Sequence, residues 1–303
     1  MSAIIKIDSI RQVHEFYGLK SLRHPLISII PIEDEITNFD YGGNTYVSSL
    51  YHISLKKNVR GSWTYGRNTY DFQDGTMTFI QPNQATVVEE REQESTGSGG
   101  WILLFHPDLI RKSSLGQKIS QYNFFAYESH EALHLSESEI SGVNEIIAKI
   151  ETELDLNLDR HSQGLIIANV ELLLDYCLRY YDRQFYTRTN LNQDYSSRFE
   201  RLLLDYYNSE KPQELGIPTV AWCGEAMNMS AHYLSDLLKK ETGKGAQEHI
   251  HYHLIEKAKN RLLSTDDTIG EIAFSLGFDY SQHFSKIFKS KTGLTPVQYR
   301  NQN

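Results

Sequence analysis

Two helical stretches, fifty positions apart, carry polar side chains of the types that read base edges in a DNA duplex. In the second stretch, Gln282 can pair with adenine, and Lys286 can donate to guanine or to a phosphate. In the first, Asp236 can accept from cytosine or pair with a neighbouring lysine. Any one of these side chains could equally be an ordinary solvated residue, but two matching faces favour recognition. The candidate DNA-contacting residues are Ser230, His232, Ser235, Asp236, Lys239, Ser281, Gln282, His283, Ser285, Lys286 and Lys289.

An internal repeat positions these residues. Residues 234–243 recur as residues 284–293, with Ser235 matched by Ser285 and Lys239 by Lys289. Each copy has the pattern of a short helix, a tight turn and a second helix. This pattern predicts helix-turn-helix units at 219–243 and 268–293, whose second helices could enter neighbouring major grooves.

Apolar periodicity divides the second helix of each unit into an inner and an outer face. The inward positions are Tyr233 or Leu234, Leu237 and Leu238 in the first copy and Phe284, Ile287 and Phe288 in the second. Ser230 is a start signal for the first of these helices, and Gly243 and Gly293 are stop signals. Residues 246–263 are predicted to form a longer helix that links the two units.

The charge of the chain is unevenly distributed. The 303 residues carry a formal charge of −9. Residues 1–194 hold 17 Lys and Arg against 26 Asp and Glu, whereas residues 195–303 hold 13 of each and five histidines. Because the C-terminal part is neutral, affinity for DNA must come from local placement of cations.

Residues 26–106 alternate short apolar or β-branched runs with turn signals. The predicted strands are 26–32, 46–55, 69–72, 76–80, 85–90 and 101–105. Strands of this length indicate a small antiparallel sandwich or barrel. The Asp74-Gly75 turn, the strand after it and Pro82 resemble the second half of a cupin-type barrel. We therefore expect an antiparallel, cupin-like barrel with trailing helices.

Such a barrel could enclose a small molecule, with Arg60 or Arg67 pairing an anion. The candidate effector-binding residues are His52, Arg60, Trp63, Tyr65, Arg67, Tyr70 and Trp101, each of which could also be an ordinary core or rim residue. No His-x-His pair occurs before residue 249, so we expect a barrel without metal. Of the histidines at 249, 251 and 253, only 249 and 253 have the i, i+4 spacing of a helical metal site, so we expect no metal there and no cofactor.

Helices follow the strands. Ser136 and Glu139 form a candidate capping box ahead of residues 140–154. Residues 160–181 carry an apolar stripe that is first of all core, and that could also form a helix pair in a homodimer. Residues 184–194 are predicted as a polar linker. The expected domains are therefore 1–190 and 191–303, an α+β chain with an all-α C-terminal domain.

The first residues lack the features of a signal peptide, and no apolar run reaches the ~18–20 residues that span a bilayer. Cys177 and Cys223, the two cysteines of the sequence, lie in apolar helical patterns and are expected to be buried free thiols. We expect a cytoplasmic protein that does not contact a membrane.

Residues 219–300 resemble the DNA-binding domain of the AraC/XylS family of transcription regulators. The resemblance rests on residues 272–278, 284–289, 292–296 and 299–300. It implies seven helices and base-reading positions at His232, Ser235, Asp236, Gln282, Ser285 and Lys286. Asp236 stands where many members have a basic residue. The N-terminal half, including residues 104–109, resembles the family's cupin-like effector domain.

The resemblance implies a sequence-specific transcription regulator, more often an activator, that binds promoter DNA and RNA polymerase and responds to a small-molecule effector. One alternative is a cupin-type enzyme or ligand-binding protein with a helical appendage, although no catalytic residues are identified. Another is an interaction module whose helix-turn-helix units no longer bind DNA. The lack of metal ligands in the barrel disfavours the enzyme.

Overall fold

A computed structural model describes residues 4–19, 22–32, 45–56, 63–65, 68–70, 75–87, 99–127, 131–156, 159–190 and 195–302, with only the backbone at 63–65, 68–70, 86–87, 186–190 and 302. The chain divides into two compact units, residues 1–184 and 185–303. No helix in the described ranges combines the length and the apolar character needed to cross a membrane.

The N-terminal unit contains short strands and helices. The strands are β1 (Ile4–Ile7), β2 (Ile27–Pro31), β3 (Thr45–Ser48), β4 (Tyr51–Lys56), β5 (Trp63–Tyr65), β6 (Asn68–Tyr70), β7 (Thr76–Ile80), β8 (Ala85–Val87), β9 (Gly100–Phe105) and β10 (Leu133–His134). The helices are α1 (Ile10–Phe16), α2 (Pro107–Ile110), α3 (Ser114–Lys118), α4 (Glu137–Asp155) and α5 (Ser162–Asn190), with two 3₁₀ turns at Ile119–Gln121 and Asn123–Ala126. The predicted capping box of α4 is confirmed at Ser136 and Glu139.

Five of the strands form an antiparallel sheet in the order β10-β7-β4-β9-β2. Its register defines two faces, because residues paired across the ladder project to the same side. Leu55 lies opposite Trp101 on one face, whereas His52 lies opposite Leu104 on the other. Two residues that were predicted to line one cavity are thus separated by the sheet.

The described strands do not close into the predicted barrel. β1 pairs in parallel with β3, which also pairs with β8, and β5 and β6 form a separate hairpin. The predicted strand 46–55 is divided because the N–H of Ser49 donates to Ile7 of β1 before the chain joins β9 at Tyr51. The prediction missed β1, β5 and β10 because runs of four, three and two residues are too short for a periodicity signal.

Helices cover one face of the five-stranded sheet. Phe79 of β7 packs in an aromatic cluster with Phe124 and Phe125, and with Tyr181 of α5. Cys177 lies in the same core, with its sulfur 4.0 Å from that of Met77. Both cysteines are buried and free, as predicted. Since burial disfavours the thiolate, it raises the pKa of Cys177, which is therefore a packing residue.

The C-terminal unit is helical. Its helices after α5 are α6 (Tyr195–Tyr207), α7 (Lys211–Leu215), α8 (Val220–Met227), α9 (Ala231–Thr242), α10 (Ala246–Ser264), α11 (Ile269–Ser275), α12 (Ser281–Thr292) and α13 (Pro296–Gln302). Residues 195–302 thus contain eight helices, where the family resemblance implies seven. Helix α5 continues to Asn190, so much of the stretch predicted as a linker is helical. Phe185 of that stretch packs on Tyr233 with ring centroids 5.0 Å apart.

Candidate nucleic-acid interface

The first helix pair consists of α8 and α9. Thr219 accepts the N–H of Trp222 and starts α8. Asn228 ends it in a left-handed conformation, with φ 56°, which asparagine tolerates better than most residues. Ser230 then accepts the N–H of Tyr233 and starts α9. These caps satisfy helix-end N–H groups that would otherwise lack partners, and they explain where both helices begin.

The second helix pair consists of α11 and α12. Thr268 and Glu271 form a capping box at the start of α11. The turn depends on Gly277, which has φ 94° and whose added Cβ would lie 2.5 Å from the carbonyl carbon of Gly216. A side chain at this position would meet both an unfavourable φ and a backbone clash. Tyr280, which precedes α12, makes no side-chain capping bond.

Both recognition helices, α9 and α12, end in the same way. The hydroxyl of Thr242 donates to Leu238, and that of Thr292 donates to Phe288, each at 2.8 Å. The glycine that follows each threonine has a positive φ. The repeat in the sequence is therefore also a structural repeat, which fixes the end of each recognition helix.

The predicted inward residues are buried, except Ile287, which is half-buried. Leu234, Leu237 and Leu238 of α9 have no exposed surface, and neither do Phe284 and Phe288 of α12. Burying each of these side chains contributes roughly 1.5–3 kcal/mol, so this packing determines which face of each helix remains outside.

Most of the predicted DNA-contacting residues lie on those outer faces. His232, Lys239, Ser281, Gln282, His283, Lys286 and Lys289 are exposed, and Asp236 and Ser285 are half-buried. The lysines and Gln282 are long enough to reach base edges or phosphates from a helix in the major groove. The two helices therefore present nine of the eleven candidates to a partner.

The other two candidates serve the fold. Ser230 is only 9% exposed, and its hydroxyl is the cap that accepts the N–H of Tyr233. Ser235 is half-buried and accepts the N–H of Ala246 at 3.3 Å, which ties α9 to the start of α10. Neither hydroxyl is as free to contact a base as the sequence suggested.

The two recognition helices differ in charge. Helix α9 contains two lysines, one aspartate and one glutamate, whereas α12 contains three lysines and no acidic residue. In a nearly neutral unit, α12 is therefore the stronger local source of positive potential. Counterion release by lysines at phosphates favours binding to DNA, so this difference bears directly on affinity.

Two basic residues, Lys291 of α12 and Arg300 of α13, were not among the predicted DNA-contacting residues. Lys291 is exposed in the last turn of α12 and was not among the candidates, although a basic residue at a helix C-terminus is a recognisable signal. Arg300, part of the motif that carries the resemblance, donates to the carbonyl oxygens of Leu262 and Asp267. Its guanidinium holds α13 against α10.

His249 is a structural residue. It is 7% exposed and lies 2.8 Å from the hydroxyl of Thr242, measured from Nε2. Burial lowers its pKa, and so favours the neutral imidazole. Among the described residues no group of three His, Cys, Asp or Glu side chains is placed to hold a metal ion.

The predicted effector-binding residues of the N-terminal unit do not form one described cavity. His52 lies 2.9 Å from Ser48 on one face of the sheet, where burial lowers its pKa to about 4. Trp101 lies on the other face and donates from its indole N–H to Asn144 of α4. Arg60 and Arg67 lie outside the described residues, and only the backbone is described for Trp63, Tyr65 and Tyr70.

Comparison with known proteins finds a family match in the C-terminal unit and relatives that cover more of the chain. Residues 223–302 match the family described as "Helix-turn-helix domain". The chain is 23% identical over 252 residues to the HTH-type transcriptional activator RhaS of Enterobacter sp. (strain 638). The alignment covers 83% of this chain and 85% of the relative. It is 25% identical over 235 residues to the regulator SAS0078 of Staphylococcus aureus (strain MSSA476), covering 73% of this chain.

The chain spans 31% of the length of that staphylococcal regulator. Among solved structures, the C-terminal domain of AraT, a response regulator from Geobacillus stearothermophilus, is 30% identical, with a TM-score of 0.33. The match covers 37% of this chain and 87% of that domain.

Proposed function

The chain belongs to the AraC/XylS family of transcription regulators, and we propose that it binds a specific operator through α9 and α12. It is a DNA-binding regulator and not an enzyme. The observation that carries the proposal is the pair of outward polar faces on two recognition helices that share a Thr-Gly C-terminal end and a buried inner face. The two helices would enter successive major grooves ~34 Å apart on one side of the duplex.

The second recognition helix would supply most of the affinity. Gln282 and Lys286 are exposed near its start, where the residues of a recognition helix meet base edges. Lys289 and Lys291 extend the positive surface toward phosphates. Asp236 on α9 would accept from a cytosine amino group or favour one register by repulsion from phosphate.

The N-terminal unit would control DNA binding by the C-terminal unit. We propose that a small-molecule effector binds in this cupin-like unit and shifts the population of conformations that bind DNA. The name of the RhaS relative, a transcriptional activator, supports activation as the proposed mode of regulation, and contact with RNA polymerase would be a further part of the proposal. The site of action would be the cytoplasm, where promoter DNA and polymerase are found.

Helix α5 would pair with a second copy of the chain. Leu165, Ala168, Leu172 and Tyr176 lie on one side of the helix at a spacing of three and four residues. Leu165 is 48% exposed, Leu172 41% and Tyr176 37%, which is unusual for apolar residues in line on a 29-residue helix. An antiparallel pair of these helices would bury this stripe and form a homodimer.

Fluorescence anisotropy of the full chain tests the proposal. The probes are duplexes from upstream of its own gene and neighbouring genes, with scrambled duplex as competitor, across a salt series. We expect binding that resists the competitor, with a log–log salt slope of only about −3 to −4.5, corresponding to roughly three to five phosphate contacts. If a genome-wide selection for bound fragments also gave nothing tighter than scrambled DNA, the recognition proposal would be wrong.

A further inference from the structure

Two connections join the helix-turn-helix pairs of the C-terminal unit. The first is helix α10, which follows the first pair in the sequence and packs against α9 and α11. The second is residues 206–218, here called the bridging segment, which comes before both pairs in the sequence. Helix α6, which ends in this segment, packs against α8 and α9, whereas α7 packs against α11. The segment that leads into the first pair therefore also reaches the second.

Tyr206 connects the bridging segment to the first pair. Its ring packs on the ring of Trp222 in α8, with centroids 4.7 Å apart. Its hydroxyl donates to the carbonyl oxygen of Gly216 at 2.8 Å, and the residue is only 2% exposed. Because a buried hydroxyl that loses its acceptor is costly, this bond fixes the position of Gly216 relative to Trp222.

Gly216 in turn contacts the second pair. It ends α7 with φ 81°. Its backbone lies against that of Gly277, in the turn between α11 and α12, where an added Cβ would lie 2.5 Å from the carbonyl carbon of Gly216 and 2.8 Å from the nitrogen of Ile217. The absence of a side chain on both glycines allows the two backbones to approach this closely. The contact is stiff, since no flexible side chain separates the two backbones.

Two apolar side chains anchor the bridging segment in the core of the second pair. Tyr207 and Ile217 both pack on the buried cluster that contains Phe284 and Phe288 of α12. The hydroxyl of Tyr207 has no hydrogen-bond partner among the described residues, so this residue contributes packing. The bridging segment is thus attached to both pairs, independently of α10.

We propose that the bridging segment fixes the separation and relative orientation of α9 and α12, with Tyr206 and Ile217 as its positioning residues. This role presupposes the binding of α9 and α12 to successive major grooves proposed above. One base pair added between two half-sites moves the second by about 3.4 Å along the duplex and by about 34° around it. Two rigidly held recognition helices cannot follow this shift, so the DNA must twist or bend at a cost in affinity. The bridging segment thereby makes the spacing of the half-sites part of the sequence preference.

Distance measurement in the full chain, without DNA, tests the attachment directly. Spin labels at Glu225→Cys of α8 and Ser290→Cys of α12, two exposed positions outside the predicted DNA contacts, report the separation of the pairs. The native cysteines are buried and should stay unlabelled. We expect one narrow distance distribution, which Tyr206→Phe combined with Ile217→Ala broadens while circular dichroism shows that the helices remain. Tyr207→Phe is the matched control, because the hydroxyl that it removes makes no bond to the described residues.

Anisotropy with two duplexes tests the consequence for DNA. One duplex carries the operator site for a single chain, and the other has one extra base pair between its half-sites. The unmodified chain should bind the extended duplex on the order of 10- to 100-fold more weakly. Tyr206→Phe should reduce this ratio by about 2- to 10-fold, since the bridging segment loses one hydrogen bond, whereas Tyr207→Phe should leave the ratio unchanged. A side chain that only stabilised the fold would weaken binding to both duplexes alike.

The proposal is overturned if the double variant keeps the narrow distance distribution, or if the extra base pair costs the unmodified chain no affinity. Equal changes of the ratio in Tyr206→Phe and Tyr207→Phe would also overturn it. Failure to bind any operator more tightly than scrambled duplex would instead remove the DNA-binding proposal, and the distance measurement would still decide whether the bridging segment holds the two pairs together.

Discussion

The two helix pairs of the C-terminal unit have the same order of helices and turn. They differ in how many of their polar side chains are hydrogen-bonded within the fold. In α9, Ser230 and Ser235 are both bonded to backbone amides. In α12, Tyr280 occupies the position of Ser230 and makes no side-chain capping bond. Ser285 cannot accept the bond that Ser235 accepts, because the residue that matches Ala246 in the second copy is Pro296, which has no N–H to donate. The second pair therefore leaves more of its polar groups available to a partner.

The difference suggests a division of roles after duplication of one motif. The first pair is tied to the start of α10 and carries balanced charges, which suits positioning and discrimination. The second carries three lysines on its recognition helix, which suits affinity. Substitutions at matched positions, fifty residues apart, can test this division.

The largest effect should come from Gln282→Ala with Lys286→Ala. Losing two base or phosphate contacts, each worth about 1–3 kcal/mol, should weaken specific binding roughly 10²- to 10⁴-fold in the anisotropy assay. The matched change, His232→Ala with Asp236→Ala, should cost about tenfold or less and mainly relax sequence preference. Equal losses in the two double variants would remove the proposed division of roles.

Gly277→Ala should destabilise the second pair by roughly 3–4 kcal/mol, since it adds a positive-φ penalty to a clash with Gly216. Asn228→Ala, in the turn of the first pair, should cost only about 1 kcal/mol. Hydrogen exchange of the α11 and α12 amides in the full chain measures the first change, and exchange in α8 and α9 the second. A Gly277→Ala chain with normal protection in α12 would contradict the assigned turn geometry.

Ser235→Ala should cost the first pair about 1 kcal/mol, because the N–H of Ala246 loses its acceptor. Ser285→Ala should change stability by less than about 0.5 kcal/mol, and any effect should fall on DNA affinity. Urea unfolding of the two variants, beside anisotropy, separates these outcomes. The reverse pattern would mean that Ser235 contacts DNA and Ser285 supports the fold.

The first pair should lose stability as the pH falls below 6.5, the ordinary pKa of histidine. Burial lowers the pKa of His249, so the unfolded chain takes up its proton first and protonation favours unfolding. Tyr299 occupies the matched position in the second pair. Amide exchange at about pH 7.5 and about pH 5.5, with allowance for the intrinsic rate, should show loss of protection in α9. Loss in α12 would come from His251, whose pKa is lowered by burial and by Lys291 of that helix. His249→Gln should remove the difference, and its persistence would assign the effect to another group.

The smallest effect concerns the helix caps. Tyr280→Ser gives α12 the cap that α9 already has, and should stabilise the second pair by about 0.5–1 kcal/mol. Ser230→Ala should destabilise the first by a similar amount. Thermal unfolding of the full chain is sensitive enough to detect both changes. A destabilising Tyr280→Ser would indicate that the exposed ring of Tyr280, which contacts His283, matters more than a cap.

The helical half was predictable because its signals are local. Ser230, Thr268 and the two Thr-Gly pairs act on groups within four residues, so the sequence alone places the starts of α9 and α11 and the C-terminal ends of α9 and α12. The inward faces followed from spacing, since Leu234, Leu237 and Phe284 recur with the period of a helix. The engagement of Ser235 was not predictable, because its partner lies eleven residues away across a turn.

The strand half was less predictable because pairing is not local. No signal in the sequence indicates that β1 pairs in parallel with β3, or that β2 lies at the edge of the sheet formed by the described strands. A small change of register also decides the side on which a residue lies. His52 and Trp101 belonged to one predicted cavity, yet their positions in the β4–β9 ladder place them on opposite faces.

The sequence by itself determined the two helix-turn-helix units, with their caps, their inward faces and their outward polar residues. Tertiary structure decided which of those polar residues are bonded within the fold, and it placed His52 and Trp101 on opposite faces of the sheet. The physical reason is the separation along the sequence between the residues that interact. Caps and helical faces depend on residues within one or two turns, whereas sheet order and hydrogen bonds between elements depend on residues brought together only by folding.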